Sequence, residues 1–405
     1  MCTNSTNLSN AELLKIIKDS VIAGNIHSAL LTVFFGLGPF LSLGKFIEKS
    51  VGSNPAANLP NDVIKVKTLL CCVLEKNGGL FKSNEQIEGV MSEGDKCGPK
   101  TIDAIRNFQQ TALTFADGRI DPNGTTFHAL YLLAANNFDD VQFTEDPFRN
   151  EIVKKALSYV GTVSNSGVQK GEKKGWEILR KFFKDAFDVY EDRDLNAEEL
   201  KKVKTSGEFL AHWCGIFAAY VLQESSAFLL KIIEASRYKA IVPADTLNRM
   251  IADKEILDRL KDARFKQWKE GDYQHGLQSY FGNPKSVIKE VVETDIDGAG
   301  IKKIKTLACD YGDVIYLNNH LSHHCILIEK GICFEEGEKM ESHYIVTVNG
   351  NSYNQGILIK KHIVTLKGNS ATIKELNKIN KENKNEPAVI MPVEIYFHNI
   401  KKLIN

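Results

Sequence analysis

The sequence predicts an α+β protein, in which a small three-helix module precedes a larger domain whose helices come first and whose strands come last. Two observations carry this. Apolar residues recur at helical spacing through most of the first 286 residues, while after Gly300 short β-branched or aromatic runs are bounded by Gly, Asn and His. The two textures do not alternate as βαβ units would. A length of 405 residues also exceeds one ordinary core, at roughly 100–200 residues per domain.

Composition narrows the function classes. At 43% hydrophobic and 25% charged residues the chain is that of a folded protein. Its 51 Lys and Arg balance 51 Asp and Glu, so no global field draws it to nucleic acid or anionic lipid, and no nucleic-acid partner is expected. Cys2, Cys71, Cys72, Cys97, Cys214, Cys309, Cys325 and Cys333 show no zinc-site spacing. They read as reduced thiols of a protein made in the cytosol.

Residues 1–57 read as an N-terminal helical or apolar segment and linker. Met1–Asn10 has no basic residue, and Glu12, Lys15, Lys18 and Asp19 precede the apolar run, so a signal peptide is not expected. Ser20–Gly44 is uncharged and long enough to span a bilayer. Asn25, His27 and Ser28 dilute it and Gly36, Gly38 and Pro39 interrupt it, which favours a buried helical hairpin over a membrane-inserting or carrier-docking segment. Ser50–Pro60 reads as a linker.

The module spans 58–140. Its first helix takes Asn61 or Asp62 as cap and sets Val63, Val66, Leu70, Val73 and Leu74 on one face. A glycine-containing loop leads to Gly94–Pro99, and the next helix carries Ile102, Ile105, Phe108 and Ala112. Asp117–Gly124 forms a tight turn, and Thr125 or Thr126 caps a last helix with Phe127, Leu130 and Tyr131.

The second domain spans 148–405. Ile152, Val153, Ala156, Leu157 and Val160 mark one helix; Trp176, Leu179, Phe182 and Phe183 begin another. Asp188–Lys204 is charged and solvated, and about 225–286 is helical. Asp313–Leu317, Cys325–Ile328, Tyr344–Val348 and Val389–Phe397 are strands. Glu293–Gly300 reads as a turn and Lys374–Asn385 as an exposed loop or helix end.

The chemistry centres on Cys214, just before an apolar helix carrying Phe217, Ala218 and Val221. A thiol at a helix N-terminus feels the positive end of the dipole and free N–H groups, and both favour thiolate. A cysteine nucleophile needs a base within hydrogen-bond reach and a third group to hold that base. His323 and His324 open one strand, and Asn349–Ser352 closes another, so the chain order is Cys, His, Asn. Adjacent strand residues face opposite ways, and His324 is preferred to His323 because the apolar strand runs directly from it. Gly215 leaves room for a substrate backbone. His320, His323 and His324 lack the further ligands a zinc site needs, and no metal or cofactor is expected.

These residues resemble the CHAP and NlpC-type cysteine peptidases of the papain-like clan. Trp213–Phe217, Gly312–Tyr316, His324–Ile328 and Gly350–Ser352 match in order, and Ala156–Gly161 with Gly175–Trp176 resembles the opening helix of such domains. The resemblance implies Cys214 as nucleophile, His324 as base and later acid, and Asn351 as orienting residue. Trp213 walls the site, and Gly215 and His323 contact substrate. The long separation of Cys214 from His324 makes about 225–286 an insertion. Residues 58–140 resemble the three-helix peptidoglycan-binding domain through Asp62–Val63, Cys97–Thr101, Ala104–Gln109 and Asp117–Asp121.

Together the two resemblances imply a peptidoglycan hydrolase, an endopeptidase or amidase. A type VI secretion effector, with an immunity protein and a carrier as partners, is favoured over a phage-type lysin. It would act in the periplasm or wall of a target cell. A protein deamidase or transglutaminase toxin, and a non-catalytic wall-binding protein, are the alternatives.

Overall fold

The computed structural model describes residues 9–23, 47–138, 141–164, 173–187, 213–225, 285–286, 288–294, 301–318, 323–334, 341–352, 356–367, 370–376 and 390–398. The protein is mixed helix and sheet, α+β. It divides into two compact units: Met1–Val141 with Leu157–Gly175 and Ser352–Lys360, and Gln142–Ala156 with Trp176–Asn351 and Lys361–Asn405. Leu157–Gly175 and Ser352–Lys360, expected in the second domain, thus group with the first unit.

In the first unit, α1 (Asn10–Ile22) starts at a capping box formed by Ser9 and Glu12. It buries Leu14, Ile17 and Val21, and its neighbours are α2 (Pro60–Cys72) and α3 (Asn84–Met91). The N-terminal segment is therefore part of the module's core at this point. Ser50–Pro60 is not a free linker either, because β1 (Val51–Gly52) pairs with β2 (Arg119–Ile120).

Helix α2 begins at Pro60, with Leu59 as its cap rather than Asn61 or Asp62. The carboxylate of Asp62 instead accepts from the backbone of Glu48 and Lys49. The helix stops at Cys72, before Val73 and Leu74, and is buried nearly all round instead of along one stripe. Even Lys67 is enclosed; its ammonium donates to the carbonyls of Val90 (2.9 Å) and Gly94 (2.8 Å).

Helix α4 (Pro99–Ala112) presents Phe108 and Gln109 to the core. The Gln109 amide meets Asp117 Oδ1, Arg119 O and Thr126 Oγ1, and accepts from the N–H of Gly118, so one side chain fastens the whole 117–124 turn. Helix α5 (Thr125–Ala135) is capped by Gly124 without a side-chain bond, not by either threonine. The returning segments are tied in by Asn77 donating to Val160 O and by Gly161 N–H donating to Ile357 O (2.9 Å).

In the second unit the N-terminal part of α6 (Pro147–Ser158) is followed by α7 (Trp176–Phe187) and α8, residues 214–225. Phe182 of α7 packs on Trp213, Phe217 and Tyr220. The strands are β3 (Lys285–Ser286), β4 (Ile288–Thr294), β5 (Ile301–Leu307), β6 (Val314–Asn318), β7 (His323–Phe334), β8 (Glu341–Ser352), β9 (Gly356–Lys367), β10 (Ser370–Leu376) and β11 (Ile390–His398). Strands β4 and β5 form a separate antiparallel pair. The others follow the order β10-β9-β8-β7-β6-β11-β3. Strand β10 also pairs with β11, closing six strands into a ring.

Ile315, Leu317, Cys325, Leu327, Ile345, Val364, Ile373, Ile395 and Phe397 fill the ring's core. Lys374–Leu376, expected in a loop, lies in β10. Glu293 and Thr294, expected in a turn, end β4, and the rest of that stretch, the 188–204 stretch, the bulk of the apolar 20–44 run and nearly all of the 225–286 insertion fall outside the described residues. Among the described residues no helix is long and apolar enough to cross a membrane.

Candidate active site

Cys214 is the first residue of α8. The helix forms there because Ile216, Phe217, Ala219, Tyr220 and Val221 are all buried. Trp213 is fully buried against Phe182, so it walls the helix start rather than lying open.

The other half of the site is the head of β7. Register alternation divides its side chains. Cys325 and Leu327 face the ring's core with Ile315 and Leu317, so His324 and Ile326 face the opposite side. Phe217 belongs to that side, since a Cβ on Gly350 would stand 2.8 Å from it. The glycine at 350 is what lets α8 approach the sheet. At this end the β7–β8 ladder finishes with Ile326 opposite Val348. One step further, the backbone N–H of His324 is given to the thiol of Cys214, together with those of Gly215 and Cys214 itself.

The thiol is 3% exposed. Burial pushes it up from the usual cysteine range, and the three N–H groups pull it part of the way back. Cys71 and Cys309, buried without that set of donors, are pushed up to about 12. The ring of His324 is buried and lies 5.0 Å from that of Tyr316, which in turn lies 6.4 Å from Tyr396.

His323 occupies the other face. Its Nε2 is 3.1 Å from Oδ1 of Asn349, whose amide nitrogen donates to the carbonyl and hydroxyl of Thr347. The amide that meets a histidine is therefore Asn349, which the sequence reading passed over, and the histidine it meets is His323. Asn351 is half-buried with φ 53, and its side chain bonds to neither histidine among the described residues. Strand alternation puts Asn349 and Asn351 on one face alike, so only the register between β7 and β8 singles out Asn349.

The Gly-Asp pair at the start of β6 is structural. Gly312 adopts φ 80, and its N–H donates to Leu327 O (2.7 Å). Asp313 is fully buried and pairs with Arg149 at 2.9 Å, while Arg149 also donates to Tyr311 O. Removing one partner of such a pair costs about 3–5 kcal/mol. Among the described residues no three His, Cys, Asp or Glu side chains converge as metal ligands; His320 lies outside them.

Compared with protein-family models, curated proteins and solved structures, the chain has no match.

Proposed function

We propose that the second unit is a papain-like cysteine hydrolase acting on amide bonds of bacterial peptidoglycan, and that the first unit is its wall-binding module. The observation that supports this most is the meeting of Cys214, at a helix N-terminus, with the backbone of His324 at a strand head. On this reading His324 takes the Cys214 proton and the thiolate adds to the amide carbonyl. Backbone N–H groups at the start of α8 hold the oxyanion. His324 then protonates the leaving amine; water, deprotonated by His324, adds to the thioester, the C–S bond breaks to free the carboxylic acid, and His324 returns the proton to Cys214. Because burial raises the thiol, the base is needed to form the nucleophile. Residues 58–140 resemble a peptidoglycan-binding domain, which supports the choice of substrate. Delivery as an antibacterial effector, neutralised in the producer by an immunity protein, belongs to the same proposal.

One observation favours a non-catalytic wall binder: the thiol is enclosed and its pKa is raised. Purified sacculi separate the two. The parent should release new amino groups, identified by mass spectrometry of the muropeptides. Cys214→Ala should lose about 10³-fold or more of that rate while still sedimenting with the sacculi. Release at the parental rate by Cys214→Ala, or none by the parent, would sink the hydrolase.

A further inference from the structure

The first unit contains a cleft of about 440 Å³. Sites for small ligands typically span about 300–1,000 Å³. One wall is the C-terminal half of α4 and the chain leaving it, with Asn107, Gln110, Thr114 and Phe115; the other is formed by Gly161, Ser164 and Lys174.

The walls are held in place by their own backbone. Ser164 and Lys174 exchange N–H donors at 3.2 and 3.0 Å. Gly161, at φ 73, abuts Thr111 so closely that a Cβ would stand 2.4 Å from its methyl. The second wall lies outside the segment that resembles a binding domain, so this cleft is particular to the way this chain returns to its first unit.

The chemistry of the lining selects a ligand. Two amides and several hydroxyls suit a polyhydroxylated, N-acylated molecule. Asn107 already donates to Gly78 O (3.2 Å), which leaves its carbonyl oxygen to accept. Phe115 is 38% exposed, an aromatic face held open at the rim. Lys174 uses one ammonium proton on Gly161 O (2.9 Å) and keeps two. Among the described residues no carboxylate lines the cleft, which disfavours a cation and leaves Lys174 for an anion.

We propose that this cleft binds an N-acetylated sugar bearing a carboxylate, the chemistry of a muramic acid residue in the glycan strand. The identity of the sugar rests on the peptidoglycan reading above. Phe115 stacks on the pyranose ring, Gln110 and Thr114 meet the N-acetyl and hydroxyl groups, and Lys174 takes the lactyl carboxylate.

Titration calorimetry on the full-length Cys214→Ala chain, which does not turn substrate over, tests this with two probes. One is the disaccharide N-acetylglucosaminyl-N-acetylmuramic acid; the other is N,N′-diacetylchitobiose, which has the same N-acetylated rings without the lactyl group. The muramic disaccharide should bind about tenfold more tightly. Phe115→Ala should weaken both sugars, and Lys174→Gln should erase the difference between them. Binding of neither sugar, equal binding of both, or insensitivity to both substitutions would overturn the assignment. Soluble muropeptide cleavage by Phe115→Ala in the Cys214 parent keeps the readings apart. Cleavage without sugar binding removes the cleft alone, and sugar binding in a parent that never cleaves removes the hydrolase alone.

Discussion

Two helix N-termini in this protein use the same local field to opposite ends. At α4 the carboxylate of Glu93 accepts from the N–H groups of Gly98 (3.2 Å), Lys100 (2.7 Å) and Thr101 (3.1 Å) and from the Thr101 hydroxyl (2.5 Å). Burial alone would raise Glu93, but the hydroxyl, the N–H groups and Lys67 outweigh it and hold it below the usual glutamate range. At α8 the thiol of Cys214 also faces three N–H groups, yet burial wins and the thiol is raised. The difference teaches that a helix terminus does not by itself make an anion. A partly exposed carboxylate with four donors and a nearby lysine is held ionised; an enclosed thiol with three donors is held toward its neutral form.

The largest test of that contrast is the base that the proposed mechanism assigns to His324. His324→Ala should lose nearly as much peptidoglycan hydrolysis as Cys214→Ala, about 10³-fold, because no group would remain to take the proton. His323→Ala should keep most of the activity, since its ring faces the core side of the strand with Asn349. A dead His323→Ala beside an active His324→Ala would assign the base to the histidine that has an amide partner.

The pH dependence of thiol alkylation tests the same point without substrate. A raised thiol reacts as thiolate only as pH climbs past the ordinary cysteine range. The iodoacetamide rate at Cys214 should therefore still be rising above pH 9. A plateau already reached at neutral pH would mean a preformed thiolate, and the contrast with Glu93 would collapse.

Glu93 gives the stability arm. Its folded pKa is depressed, so its contribution is present above the glutamate range and is lost as pH falls through the folded value. Glu93→Ala should cost about 1–2 kcal/mol at neutral pH, as for other helix-cap removals, and less in acid. Urea titrations at neutral and acid pH would show it. An equal loss at both would refer the effect to packing rather than charge.

Much of this was legible in the chain. Apolar spacing located the α4 and α7 helices, and β-branched runs located β6, β7, β8 and β11, because each of these elements buries a regular set of residues. Strands β4, β5, β9 and β10 were missed. Lysines interrupt their pattern, as in Ile301–Leu307 and Gly356–Lys367. The cap of α2 was misplaced because Asp62 serves a distant backbone, a non-local use that spacing does not reveal. That Cys214 opens a helix and that His324 lies at the head of a strand were visible from local context. The amide facing His323 was not, because it depends on the register between β7 and β8.

The smallest expected effect concerns Asn351, the orienting amide that the family resemblance implies. Its φ of 53 lies in the left-handed region, which asparagine and glycine tolerate and most residues do not. Just before it, Gly350 packs on Phe217, and the β7–β8 ladder has already ended, freeing the His324 N–H for Cys214. The conformation at Asn351 helps turn β8 away at that point, so its backbone matters more than its side chain. Asn351→Gly should therefore keep activity within a few-fold and stability within about 1 kcal/mol. Asn351→Ala should be worse in stability, because alanine lacks that freedom. Asn349→Ala supplies the contrast: it removes a real histidine partner, and a loss of roughly 10–100-fold there would make His323 part of the chemistry. Side-chain loss at 351 that glycine fails to rescue would restore Asn351 as the orienting group.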